Sequence, residues 1–137
     1  MKKILLILLI TFNLFGAELE FAHDYKSALK QAKQENKQLL VIITSETCKW
    51  CRKLEATTLK DADVIKRINK NFIAVHITRD KGDYPSILQA KMVPMTYFLD
   101  TKGDLIMHGV AGYWNSEDYY SIIGDAEYKV DKKKKQK

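Results

Sequence analysis

Apolar positions along this chain switch repeatedly between helical and strand spacing. Tyr25, Ala28, Leu29 and Ala32 form a stripe at helical spacing, with Asp24 placed to cap its start and Asn36 to stop it. Leu39 to Thr44 is an unbroken apolar run rich in β-branched residues, the pattern of a central strand covered on both faces. Arg52 to Ala56 is compatible with a helix, and Val64, Ile65 and Ile68 stripe another that Asp61 or Asp63 could cap. Phe72 to Ile77 reads as the next strand, and Tyr84 to Ala90 as a short helix. Met95–Leu99 and Leu105–Met107 read as two strands joined by Asp100-Thr101-Lys102-Gly103, with Gly where a positive φ costs little. Ser116-Glu117-Asp118 opens a last helix striped by Tyr119, Ile122, Ile123 and Ala126. Strands interleaved with helices, without repeats or long linkers, predict an α/β fold with a mixed central β-sheet flanked by helices.

The two ends of the chain follow different rules. Met1-Lys2-Lys3 is followed by an apolar run from Ile4 to Phe15, broken only by Thr11 and Asn13, and then by small Gly16-Ala17. This is the pattern of a signal peptide over residues 1–17, and the run is shorter than the roughly 20 residues that span a bilayer. No cysteine stands directly after the run, which argues against a lipid anchor. Residues 18–130 then make one domain of ordinary size, large enough to bury a core without disulfide staples. The formal charge of the whole chain is +6, but Lys2 and Lys3 belong to the expected signal and five lysines crowd residues 132–137. The body is therefore close to neutral, and 131–137 reads as a basic disordered tail. A near-neutral body without a recognisable motif argues against nucleic-acid binding.

The chemistry concentrates at Cys48-Lys49-Trp50-Cys51, which holds the only two cysteines in the chain. They stand between a strand and a helix-compatible stretch, the setting of a thiol–disulfide redox site. A helix start presents unpaired N–H groups and the positive end of the helix dipole, and Lys49, Arg52 and Lys53 add cations nearby. Both effects favour a thiolate. Cys48, outside the first turn, is expected to be the nucleophile and Cys51, one turn inward, the resolving thiol. A purely structural bridge is a poor alternative, because so small a loop constrains the unfolded chain least. Zinc is disfavoured because it usually needs four ligands, and His23, His76 and His108 have no characteristic spacing to the cysteines. No metal site and no cofactor beyond the Cys48–Cys51 redox pair is expected; copper held by the two thiolates is the metal reading that stays open.

With these motifs in place, the chain resembles thioredoxin-fold proteins over nearly all of its mature length. Within them it is similar to secreted bacterial thioredoxin-like proteins that carry C-x-W-C followed by basic residues, here Cys48-Lys49-Trp50-Cys51-Arg52-Lys53. Val93-Pro94 stands where the family keeps a cis-proline before a hairpin, and Gly109 to Gly112 where it keeps a glycine-containing turn. The resemblance implies that Pro94 packs opposite the C-x-x-C pair and that the Val93 backbone pairs with substrate as an added strand. Trp50 reads either as part of the apolar surface that docks clients or as a residue packed into the helix core. The chain also departs from cytosolic thioredoxin. Thr47 replaces a Trp, Lys49-Trp50 replaces Gly-Pro, and Ile42 replaces the buried Asp that moves the proton of the resolving thiol. His76 aligns with the lysine that partners that Asp, so it could accept protons or simply be satisfied on its strand; Glu46 could handle protons or be a surface charge.

The function expected is that of a periplasmic thiol–disulfide oxidoreductase. It would reduce client protein disulfides as a monomer, with electrons supplied by a membrane thiol transporter. Oxidase or isomerase activity is the alternative within the same chemistry, and a copper-carrying or thiol-binding chaperone module is the alternative outside it.

Overall fold

The computed structural model describes residues 17–137. The expected signal peptide, apart from Ala17, lies outside the described residues. In chain order the elements are β1 (Phe21–Ala22), α1 (Tyr25–Glu35), β2 (Gln38–Thr44), α2 (Lys49–Ala56), a 3-10 turn at Thr58–Lys60, and α3 (Ala62–Asn71). They continue with β3 (Phe72–Thr78), a 3-10 turn at Ser86–Leu88, β4 (Met95–Leu99), β5 (Val110–Ala111) and α4 (Ser116–Lys135).

The five strands form one mixed sheet in the order β1-β3-β2-β4-β5. β1 and β2 run parallel to β3, while β4 runs antiparallel to both β2 and β5. Because side chains alternate along a strand, the apolar runs of β2 and β3 feed two cores. Leu39, Val41, Ile43, Val75 and Ile77 face α1, where Ala28 and Ala32 are fully buried. Leu40, Ile42, Ala74 and Phe98 face α2, α3 and α4, meeting Leu54, Val64, Ile68, Tyr119 and Ile123. The thioredoxin fold and the mixed sheet expected from the sequence are thus present.

The capping residues act as their chemistry requires. Asp24 accepts the Ser27 N–H at 2.7 Å, and Asn36 ends α1 in the left-handed region at φ 52°. Asp61 accepts the N–H groups of Asp63 and Val64 at the start of α3. Arg67 on α3 forks onto Glu127 of α4, and mid-helix Gly124 leaves room for its guanidinium.

Three expectations are corrected. Leu105–Met107 is not a strand: only Leu105 bridges to Leu99, and the partner of β4 is Val110–Ala111. The reason is the turn itself, in which the Asp100 carboxylate accepts the N–H groups of both Lys102 and Asp104 and holds the chain in a loop. The helix expected at Tyr84–Ala90 shrinks to the single 3-10 turn after Pro85, which lacks an N–H and sits in extended backbone. The tail 131–137 is not disordered, since α4 continues through Lys132–Lys135. Lysine is a good helix former, and cations in a last turn complement the helix dipole.

Candidate active site

β2 ends at Thr44, and Ser45 to Thr47 carry the chain to Cys48, which occupies the N-cap position of α2 in extended backbone. The Cys51 N–H donates to Cys48 Sγ at 3.1 Å, so a sulfur does the capping work of a serine hydroxyl. The two cysteines are joined as a disulfide with Cα atoms 5.2 Å apart. Cys48 is partly exposed and Cys51 fully buried. One sulfur is therefore open to a partner and the other is screened, an asymmetry that follows from placing them one turn apart at a helix start.

Val93 and Pro94 reach the same end of the sheet by strand register. Met95 pairs with Ile43, so Pro94 lies level with the residues that lead into Cys48. The Val93–Pro94 peptide bond is cis and Pro94 is buried. The Pro94 carbonyl accepts the Gly112 N–H at 2.8 Å, whereas the Val93 backbone has no hydrogen-bond partner among the described residues.

Trp50 points outward, 51% exposed, rather than into the helix core. Its ring lies 5.9 Å from that of Tyr113, and Lys53 Nζ sits 5.1 Å from the Trp50 ring and 4.6 Å from the Tyr113 ring. Tyr113 is thereby part of the rim, although its place in the loop after β5 gives no local signal of this. That loop is stitched to the 3-10 turn after α2 by Thr58 Oγ1, which donates to the Trp114 carbonyl at 2.6 Å. The hydrogen bond between the Thr57 and Tyr113 hydroxyls is the larger cause of a Tyr113 hydroxyl held below its ordinary titration range, and Lys53 beside the ring adds to it.

Beneath α2 lies a polar cluster. His76 Nε2 is 2.7 Å from Thr44 Oγ1 and 3.3 Å from Glu55 Oε1. Glu55 Oε2 pairs with Arg52 at 3.1 Å, and Arg52 also donates to the Ser45 carbonyl at 3.0 Å. Burial pushes the His76 imidazole below its ordinary range; Glu55 opposes the shift and Arg52 adds to it. Glu55 escaped the sequence reading, yet it stands four residues after Cys51 and so on the same helix face, a signal that was there to use. Glu46 pairs with Lys81 in solvent, both side chains about two-thirds exposed at 66% and 67%. Ile42 is fully buried between Thr96 and His76 on the neighbouring strands.

A disulfide-forming cysteine pair at a helix start, level with a buried proline on the next strand of a mixed sheet, defines a thioredoxin-fold dithiol protein. Residues 25–127 match the thioredoxin-like domain family, and the chain belongs to it. Its fold and C-x-x-C pair match those of thiol–disulfide oxidoreductases. It is similar to a solved DsbH oxidoreductase, with a TM-score of 0.66 and 20% identity over 87% of this chain and 91% of that one. It is also similar to the oxidised C-terminal domain of Neisseria meningitidis DsbD, with a TM-score of 0.60 and 16% identity over 74% of this chain and 91% of that one. Anterior gradient protein 3 of Mus musculus is 24% identical over 86 residues, 63% of this chain and 52% of that protein. The chain spans about half the length of the anterior gradient relatives and less of the other curated relatives first matched.

Proposed function

We infer that the protein is a periplasmic thiol–disulfide oxidoreductase that reduces client disulfides. The observation that carries this reading is the inequality of the two sulfurs: Cys48 is open at the cap of α2 while Cys51 is fully buried behind it. In the reduced enzyme the Cys48 thiolate attacks a client disulfide, forming a mixed disulfide and releasing one client thiolate. The Cys51 thiolate then attacks Cys48 Sγ, releases the second client thiolate and closes the Cys48–Cys51 bond. Two electrons pass to the client, and the enzyme must be reduced again by a donor dithiol. A membrane thiol transporter is the donor proposed, in keeping with the likeness to a DsbD domain. The reaction needs no further cofactor and one copy of the chain.

Val93, with its backbone free beside Pro94, would pair with the client as an added strand, and exposed Trp50 would seat its apolar flank. Cys51 must lose a proton before it can attack. Glu55 and His76, on the faces of α2 and β3 turned toward each other, are the pair we assign to take it up. Glu46, tied to Lys81 in solvent, is left as a surface charge.

Insulin reduction in the presence of dithiothreitol tests the reading. Brisk turnover, abolished in Cys48→Ser, is expected. Absence of turnover together with copper bound through both thiolates would overturn it in favour of a binding module. The cations Lys49 and Lys53 beside the site favour the opposite direction, because stabilising the thiolate form makes the disulfide more oxidising. Equilibration with glutathione decides the direction: a potential near ~−270 mV marks a reductant and one near ~−120 mV an oxidant.

A further inference from the structure

The lysines that end α4 play no part in the redox site. The buried stripe of α4 runs through Tyr119, Ile123 and Ala126 to half-buried Val130, and from Asp131 onward every residue is exposed. The helix nevertheless continues to Lys135, overhanging the domain it packs on. Lys133 takes the next place on the stripe and pairs with Asp100 at 3.3 Å, which fastens the overhang to the turn after β4. Lys132, Lys134 and Lys135 have no ion pair among the described residues.

Successive helical residues are turned by about 100°, so four consecutive lysines point to nearly all sides of the helix. A partner protein that receives a helix in a groove reads a one-sided stripe. With Lys133 turned to Asp100, the free cations Lys132, Lys134 and Lys135 span roughly 160° of the helix end, a face broader than a groove-bound stripe and suited to an extended anionic plane. Tyr128, 67% exposed, stands on the same face as Lys132 and Lys135, four and seven residues on. A tyrosine beside lysines is the composition of a membrane–water interface, with a ring for the headgroup layer and ammonium groups for the phosphates. Among the described residues no helix is long and apolar enough to cross a membrane.

The overhang is also at the right pole. Leu39 at the start of β2 pairs with Leu99, next to Asp100, whereas Cys48 lies beyond the other end of β2. A strand of seven residues separates the two poles by roughly 20 Å at about 3.3 Å per residue. We propose that the last turns of α4 dock the domain on an anionic phospholipid surface and hold the Cys48–Cys51 pair facing away from it.

Flotation of the full chain with phosphatidylcholine vesicles, with and without about a quarter phosphatidylglycerol, tests this. The readout is the ratio of binding to the two vesicles, so the apolar residues 4–15 shared by every variant contribute equally to both. The ratio should fall by up to roughly 1,000-fold in K132Q/K134Q/K135Q/K137Q, at about 1 kcal/mol per lysine, and be restored by the four matching arginines. It should change less than about 3-fold in K26Q/K30Q/K33Q/K66Q, which removes the same charge from exposed positions on α1 and α3. Binding should vanish near 1 M salt, where screening acts within about 3 Å. Equal losses in the two glutamine sets would reduce the effect to net charge and overturn the proposal. Equal binding to both vesicles, or displacement by polyglutamate more readily than by anionic vesicles, would overturn it too, the latter assigning the overhang to an acidic protein. Insulin reduction should be the same in both sets, so failure of the docking and failure of the redox reading are separate results.

Discussion

His76 on β3 reaches across to Glu55 on α2, its Nε2 3.3 Å from Glu55 Oε1 and 2.7 Å from Thr44 Oγ1. Two oxygens on one ring nitrogen favour the tautomer with the proton on Nε2, since a bare lone pair there would face the carboxylate. Glu55 Oε1 is buried and has no well-aligned hydrogen bond, so the His76 N–H is its nearest donor. His76→Phe strands that oxygen. The expected loss of stability is about 1 kcal/mol, the low end of the range for a buried unsatisfied acceptor because both side chains reach solvent in part. His76→Gln, which keeps a donor, should lose less in urea denaturation. In stopped-flow measurements His76→Phe should also slow resolution of the Cys48 mixed disulfide; an unchanged rate removes His76 from the proton path.

The same histidine sets a pH dependence. Its ordinary value is 6.5, and burial holds it lower in the folded chain, with Glu55 opposing and Arg52 reinforcing. The unfolded chain therefore binds the proton first as pH falls. This contribution to stability is fully present above about 6.5 and is lost as pH falls through the lower folded value. Unfolding midpoints measured from neutral to mildly acidic pH should drop more steeply in the native protein than in His76→Gln. Equal slopes would show that other groups carry the acid sensitivity.

Away from the site, Arg67 ties α3 to α4. Its Nε lies 3.1 Å from both carboxylate oxygens of Glu127, its Nη1 donates to the Tyr120 carbonyl at 3.0 Å, and its guanidinium lies 4.2 Å from the Tyr120 ring. Asn71 adds a donor to Glu127 at 2.8 Å. A lysine cannot reproduce the fork or the stacking. Arg67→Lys should destabilise the domain by about 1 kcal/mol and Arg67→Ala by about 2 kcal/mol, below the cost of breaking a fully buried pair because both groups are partly exposed. Thermal or urea unfolding of the two variants reads this, with insulin reduction expected to stay unchanged.

Local chemistry made much of this fold legible in the sequence. Asp24 and Asn36 bound α1 because capping and a left-handed stop are written in single residues, and β4 runs from Met95 to Leu99 as its apolar run suggests. Elements set by distant contacts were harder to see. β1 is two residues long, too short to show a period, and exists because Phe21 and Ala22 pair with β3. β5 is displaced to Val110 because the Asp100 carboxylate organises the preceding turn. The lysines of α4 read as a solvated tail by composition, whereas the helix ahead of them and Asp100 beside them keep them helical. At the site, Cys48 and Cys51 were visible from spacing alone. Tyr113 was not, since it matters through Trp50 and Lys53 some sixty residues away, whereas the place of Glu55 one turn after Cys51 was a local signal left unused.

Trp50 offers the sharpest separation of docking from chemistry. It is half-exposed at 51%, touches neither sulfur's hydrogen bond, and is held at the rim by Lys53 and Tyr113. If it seats the apolar flank of a client, its contribution is binding energy that a small disulfide cannot use. Trp50→Ala should therefore raise KM for insulin by roughly 10-fold, as expected for losing one aromatic anchor worth about 1–2 kcal/mol. The rate with oxidised glutathione, which is too small to cover the rim, should change less than about 2-fold. Trp50→Phe should recover most of the insulin KM. A parallel fall with both substrates would mean that Trp50 acts through the thiols, by shifting the start of α2, and would remove it from the docking surface.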